Sequence, residues 1–126
     1  MSRLLVVDDE ANIRLLYAEE LTDDGYEVIT AAGTEEAVEK LQEGTFDLAV
    51  LDIKLKNESG IELLQKLVKE RHDMPVILCS AFSCYKDDFS AWLADGYVVK
   101  SGDLSELKQE IARVLAKKAQ RQKAGL

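Results

Sequence analysis

The stretch Leu48-Ala49-Val50-Leu51-Asp52 limits the folds open to this chain more than any other. Four apolar residues run without a break into one carboxylate. A short continuous apolar run of this kind reads as a strand buried on both faces, as in a parallel sheet. Asp52 then falls at the strand's carboxyl end, the edge where open α/β sheets hold their ligands.

The same pattern recurs along the chain. Leu4-Leu5-Val6-Val7 is a second buried-strand run and ends in Asp8-Asp9-Glu10. Ile13, Leu16, Tyr17 and Leu21 then fall on one helical face, and Gly25 is a suitable stop. Tyr26 to Thr30 reads as a more solvated strand. Thr34 supplies a hydroxyl to start a second helix, lined by Ala37, Val38 and Leu41 and stopped at Gly44. After the Asp52 strand comes a polar loop, Lys54 to Ser59, and then a third helix marked by Ile61, Leu64, Leu67 and Val68. Pro75 opens the strand Val76 to Cys79, where a missing N–H is tolerated, and Ser80 ends it. Phe82, Tyr85, Phe89, Trp92 and Leu93 recur at the spacing of a fourth helix. Tyr97-Val98-Val99 is a short last strand ended by Lys100. Asp103 offers a cap, and Leu104, Leu107, Ile111, Val114 and Leu115 stripe a fifth helix. Strands alternating with helices imply a parallel sheet covered on both faces.

At 126 residues the chain suffices for one domain with an ordinary core. The net charge is −8, yet the last ten residues hold four of the sixteen basic side chains and no acid. A body that acidic repels a phosphate backbone, which argues against direct binding of nucleic acid. Cys79 and Cys84 form neither a disulfide framework nor a metal-site spacing, which suits a reducing compartment. No apolar run approaches a membrane span, and Leu4 to Val7 is too short for a signal-peptide core, so the expected location is cytoplasmic.

Asp8, Asp9, Asp52, Ser80 and Lys100 all end strands, and in a parallel sheet those ends share one edge. If the first and third strands are neighbours, three carboxylates crowd into one cleft. Two like charges ~4 Å apart repel by about 4 kcal/mol at an effective dielectric of 20. Either one carboxylate holds a proton or a cation sits among them. Oxygen-only ligands favour a hard ion such as Mg2+, which also draws in phosphate oxygens. Lys100 then supplies a second positive point, and Ser80 a hydroxyl donor. A carboxylate nucleophile can accept a phosphoryl group as an acyl phosphate. Taken singly, each of these five residues reads as an ordinary turn or cap residue.

Together they resemble the receiver domain of bacterial two-component response regulators, a CheY-like superfamily. The resemblance covers about residues 3–116. Its acidic pair matches Asp8-Asp9, its phosphoacceptor Asp52, its hydroxyl residue Ser80 followed by the small Ala81, its lysine Lys100, and its aromatic switch Tyr97. The resemblance implies a doubly wound, flavodoxin-like α/β fold: a five-stranded parallel sheet in the order 2-1-3-4-5 flanked by five helices. Residues 1–119 would form the receiver and 120–126 a basic C-terminal tail. It implies a sensor histidine kinase as phosphoryl donor, with Asp52, Lys100 and Ser80 performing the transfer. Lys100, Ser80 and Ala81 would hold the phosphoryl group. Mg2+ would be held by Asp9, Asp52 and the backbone carbonyl of Lys54, with Asp8 acting through water. Ser80 and Tyr97 would switch the surface of the fourth helix, last strand and fifth helix. Lys54 and Phe82 would tune the lifetime of the phosphoryl group, although Lys54 reads equally as an exposed loop charge.

The chain also departs from the family pattern. Lys56 and Ser101 stand where the family usually has proline. A cis bond before Ser101 would cost roughly 2.5–4 kcal/mol without proline, so a trans bond, or else a strained one, is expected there. The aromatic stripe from Phe82 to Trp92 reads first as core and second as a docking patch. His72 reads as a solvated loop residue.

The leading expectation is therefore a phosphoreceiver rather than an enzyme. It would act as a monomer or a phosphorylation-dependent dimer, with a downstream phosphotransfer or effector protein. Three alternatives stand beside it. One is a degenerate receiver that binds partners without phosphorylation. An Asp-nucleophile phosphatase would want a second Asp two residues on, where Lys54 stands. A nucleotide or flavin module would want a Gly- or hydroxyl-rich loop after the first strand, where Asp8-Asp9-Glu10 stands.

Overall fold

The computed structural model describes residues 2–55, 58–70, 74–80, 94–100 and 103–124. Five strands form one parallel sheet: β1 (Arg3–Val7), β2 (Glu27–Ala31), β3 (Leu48–Asp52), β4 (Val76–Ser80) and β5 (Gly96–Val99). Their order is β2-β1-β3-β4-β5, as the resemblance implies. The helices described are α1 (Ala11–Asp23), α2 (Thr34–Glu43), α3 (Gly60–Glu70) and α4 (Ser105–Ala124). α4 is the last helix expected from the sequence. The aromatic helix expected before β5 lies outside the described residues, as do His72 and Cys84.

The sheet is buried on both sides because successive strand residues point to opposite faces. Leu4, Val6, Leu48 and Val50 meet Tyr17 and Leu21 of α1 and Leu107, Ile111 and Val114 of α4. Leu5, Val7, Ala49 and Leu51 meet Ala37 and Leu41 of α2 and Leu63, Leu64 and Leu67 of α3. All five residues of β3 are buried, which explains its unbroken apolar run. Each leucine buried there contributes about 2 kcal/mol.

Local chemistry sets the element ends. α1 stops where Gly25 takes φ +95, a conformation that L side chains rarely adopt. The N–H groups of Asp24, Gly25 and Tyr26 satisfy the last carbonyls, donating to Leu21, Thr22 and Leu21. Gly33, in extended conformation, occupies the cap position of α2 and Thr34 is its first helical residue, one place later than a hydroxyl cap requires. Asp103 caps α4, accepting from the backbone N–H of Ser105 at 2.9 Å and its hydroxyl at 2.6 Å. The stretch read as a polar loop contains a short antiparallel pairing of Lys54–Leu55 with Glu58–Ser59. No period of apolar residues marks such a pairing, since two-residue arms bury no continuous stripe.

Candidate functional site

β1 and β3 pair in register, Val7 opposite Leu51, so Asp8 and Asp52 follow at the same level of the sheet. Each lies two residues beyond a side chain in the core shared by α1 and α4, Val6 and Val50. Period-two alternation therefore sends both carboxylates to that side. Both are buried, at 2% and 6% exposure, whereas Asp9 is more open to solvent. One carboxylate oxygen from each of Asp8, Asp9 and Asp52 lies within 4.8 Å of the others.

Lys100 follows β5 and lies two residues beyond Val98, which faces the same core. β5 and β3 are separated by β4, and strands stand ≈ 4.7–4.9 Å apart. Only a long side chain can cross that gap. Lys100 Nζ reaches Asp52 Oδ2 at 2.8 Å and Asp8 Oδ2 at 2.7 Å. Burial alone would lower the pKa of this ammonium. The hydrogen bonds to Asp52 and Asp8 outweigh it and hold the group above the usual lysine range. A single ammonium thus binds two buried carboxylates, and a third stands beside them.

The floor of the cleft is protonated and inert. Cys79 pairs with Asp52 across the β3–β4 ladder and is buried. Burial pushes its thiol up to about 12, with Lys100 opposing and Asp52 and Asp8 reinforcing. A thiol held so far from its thiolate is no nucleophile. Tyr17 of α1 is buried too, and burial first, then Cys79, raises its phenol above the ordinary range.

Sequence spacing gave no reason to single out Tyr17 as a neighbour of the acids, or to notice Arg14. Arg14 lies one turn into α1, and its Nη1 donates to the backbone carbonyl of Asp8 at 2.7 Å. The carboxylate of Asp8 also accepts from the N–H of Glu10 through Oδ1 at 2.9 Å.

Of the residues expected to act together, Asp8, Asp9, Asp52 and Lys100 are assembled. Ser80 is the last residue of β4, opposite Val99, and Lys54 opens the short hairpin two residues after Asp52. The side chains of Ser80 and Lys54 lie outside the described set, as do Ala81, Phe82, Lys56 and Ser101. The expectation of a trans bond after Lys100 falls there as well. Among the described residues no peptide bond is cis. Tyr97 sits on β5 opposite Leu78 and packs, half-buried, against the core shared by α2 and α3. It therefore lies on the face of the sheet away from Lys100.

The doubly wound sheet with an acidic cleft at its strand ends defines a class. Residues 4–112 match the response regulator receiver domain, and the chain belongs to that family, a family of signalling domains. Among solved structures it resembles the response regulator protein TrrA of Thermotoga maritima in complex with Mg2+–BeF. That match has 46% identity and a TM-score of 0.86 over 90% of this chain and 99% of that one. A complex of TrrA with the histidine kinase ThkA matches at 47% identity and a TM-score of 0.85, covering 91% of this chain and 99% of that chain. The response regulator ArlR of Staphylococcus aureus is 30% identical over 123 residues, 96% of this chain and 56% of that protein. The chain thus spans about half the length of the curated relatives it matches. Among the described residues no helix is long and apolar enough to cross a membrane.

Proposed function

We propose that this receiver accepts a phosphoryl group on Asp52 from a sensor histidine kinase, with Mg2+ as cofactor. The observation that carries the reading is the grouping of Asp8, Asp9 and Asp52 within 4.8 Å, with Lys100 bonded to two of them. The donor set suits a hard divalent ion: it is all oxygen and carries more negative charge than Lys100 can answer. Asp9, Asp52 and the carbonyl of Lys54 would hold the ion, with Asp8 acting through water. When bound, it supplies charge neutralisation at the phosphoryl oxygens.

The residues of the chain divide the rest of the work. A carboxylate oxygen of Asp52 attacks phosphorus in line as the donor's P–N bond breaks and the imidazole leaves. Lys100, already within bonding distance of Asp52 Oδ2 at 2.8 Å, pairs with the phosphoryl oxygens as negative charge arrives. Ser80 and the backbone of Ala81 hold a further oxygen, and Lys54 and Phe82 tune how long the adduct lasts. Ser80 then shifts toward the modified site, Tyr97 repacks on the α2–α3 side of the sheet behind it, and together they change the surface of β5, α4 and the segment between β4 and β5. This is a change in the balance of two existing states.

The kinase partner is supported by the complex known for the similar TrrA. Residues 1–119 serve as the receiver and 120–126 as a basic tail, which α4 enters through Ala124. A cytoplasmic setting and a downstream phosphotransfer or effector partner belong to the same reading.

Incubation with Mg2+ and acetyl phosphate, followed by intact mass measurement, tests it. The wild-type chain gains one phosphoryl group and Asp52→Asn gains none. Absence of an adduct on the wild type would favour a receiver that binds its partner without phosphorylation. Turnover of phosphomonoesters would favour a phosphatase.

A further inference from the structure

We infer that Arg14 is a positioning residue for the metal and phosphoacceptor cluster, acting through the backbone that carries Asp9. This rests on the proposed use of that cluster for a divalent ion.

Arg14 Nη1 donates to the carbonyl oxygen of Asp8 at 2.7 Å, a short, charge-assisted bond. That carbonyl belongs to the peptide unit joining Asp8 to Asp9. A peptide unit is planar, so holding its oxygen restrains the plane containing the N and Cα of Asp9. Asp8 itself is held by its own N–H, which donates to Ala31 at 3.1 Å, and by its carboxylate, which accepts from Glu10. The N–H of Arg14 donates to the carbonyl of Glu10 at 3.1 Å, so both ends of Arg14 grip the same three-residue loop. Asp9, the more open of the three acids, is carried by the clamped backbone.

The choice of acceptor matters. Arg14 bonds to a carbonyl and leaves the carboxylate oxygens of the cluster for an ion. An arginine with only a structural role would secure the start of α1 and change nothing at the ion.

Mg2+ titration calorimetry on Arg14→Met and Arg14→Lys decides this, alongside unfolding midpoints in EDTA and acetyl phosphate labelling across Mg2+ concentrations. Arg14→Met should bind Mg2+ about tenfold more weakly, the usual scale for losing a partner that orients a ligand. Arg14→Lys keeps the charge and should fall between the two. At saturating Mg2+ the labelling rate of both variants should return to the wild-type value. Unchanged Mg2+ affinity in Arg14→Met, whatever its unfolding midpoint, overturns the inference. If Arg14→Met does not fold, Arg14→Lys carries the test: weakened affinity supports positioning and unchanged affinity overturns it. A wild-type chain that binds no Mg2+ overturns the parent reading along with this one. Wild-type binding with unaffected variants overturns this one alone.

Discussion

Lys100 Nζ donates a 2.8 Å hydrogen bond to Asp52 Oδ2 from a strand that is not its neighbour in the sheet. The same ammonium holds Asp8 at 2.7 Å. All three side chains are largely buried, so the bridge is poorly screened by solvent. Lys100→Met leaves two buried carboxylates without their cation. Removing one partner of a buried pair costs about 3 kcal/mol. Urea unfolding in EDTA should show a loss of that order. Saturating Mg2+ should restore much of it, because a divalent ion answers the same charges.

The pH dependence of that bridge has a definite sign. The folded-state pKa of Lys100 lies above the ordinary 10.5 because its bonds to Asp52 and Asp8 outweigh burial. Above 10.5 the folded state retains a proton that the unfolded chain releases, so stability falls as pH rises. The contribution is complete below 10.5 and is lost as pH climbs through the folded value. The stability gap between wild type and Lys100→Met should therefore be constant near neutrality and shrink in strong alkali. Urea midpoints across an alkaline pH series check it; a gap that widens with pH contradicts it.

Asp9 invites the opposite experiment. It is the more open acid and stands within 4.8 Å of two others. Replacing it with Asn removes two repulsions, together about 2 kcal/mol at that range in water-like surroundings. Without Mg2+, Asp9→Asn should match or exceed wild-type stability by up to that amount. With Mg2+ the order should invert. A ligand at a hundred times its dissociation constant stabilises by about 2.7 kcal/mol, and Asp9→Asn should forfeit most of that gain. Thermal unfolding with and without MgCl2 reads both halves.

Why some of this was legible in the sequence, and some not, follows from how each residue acts. The carboxyl ends of β1 and β3 could be read directly. Leu4 to Val7 and Leu48 to Leu51 are buried on both faces, and the first acid after each run must stand at the sheet edge. Whether those acids meet depends on β1 and β3 being neighbours, a long-range pairing that no local pattern encodes. The resemblance supplied it. Lys100 could be read as a strand-ending cation, but its span across β4 depends on the register of three strands. Arg14 is not legible in the sequence because it acts on a backbone carbonyl, and apolar periodicity is blind to such contacts. The Lys54–Ser59 pairing, inside what reads as a polar loop, and the cap at Gly33 rather than Thr34 are hidden for a related reason, since short polar turns are fixed by backbone geometry more than by residue type.

The decisive measurement is the position of the phosphoryl group. Wild-type protein is labelled with acetyl phosphate and Mg2+, reduced with borohydride and mapped by peptide mass spectrometry. Reduction turns an aspartyl phosphate into homoserine. Homoserine at position 52 alone, absent without Mg2+, is the expected result. Homoserine at position 8 or 9, or at none of the three, would contradict the role assigned to Asp52.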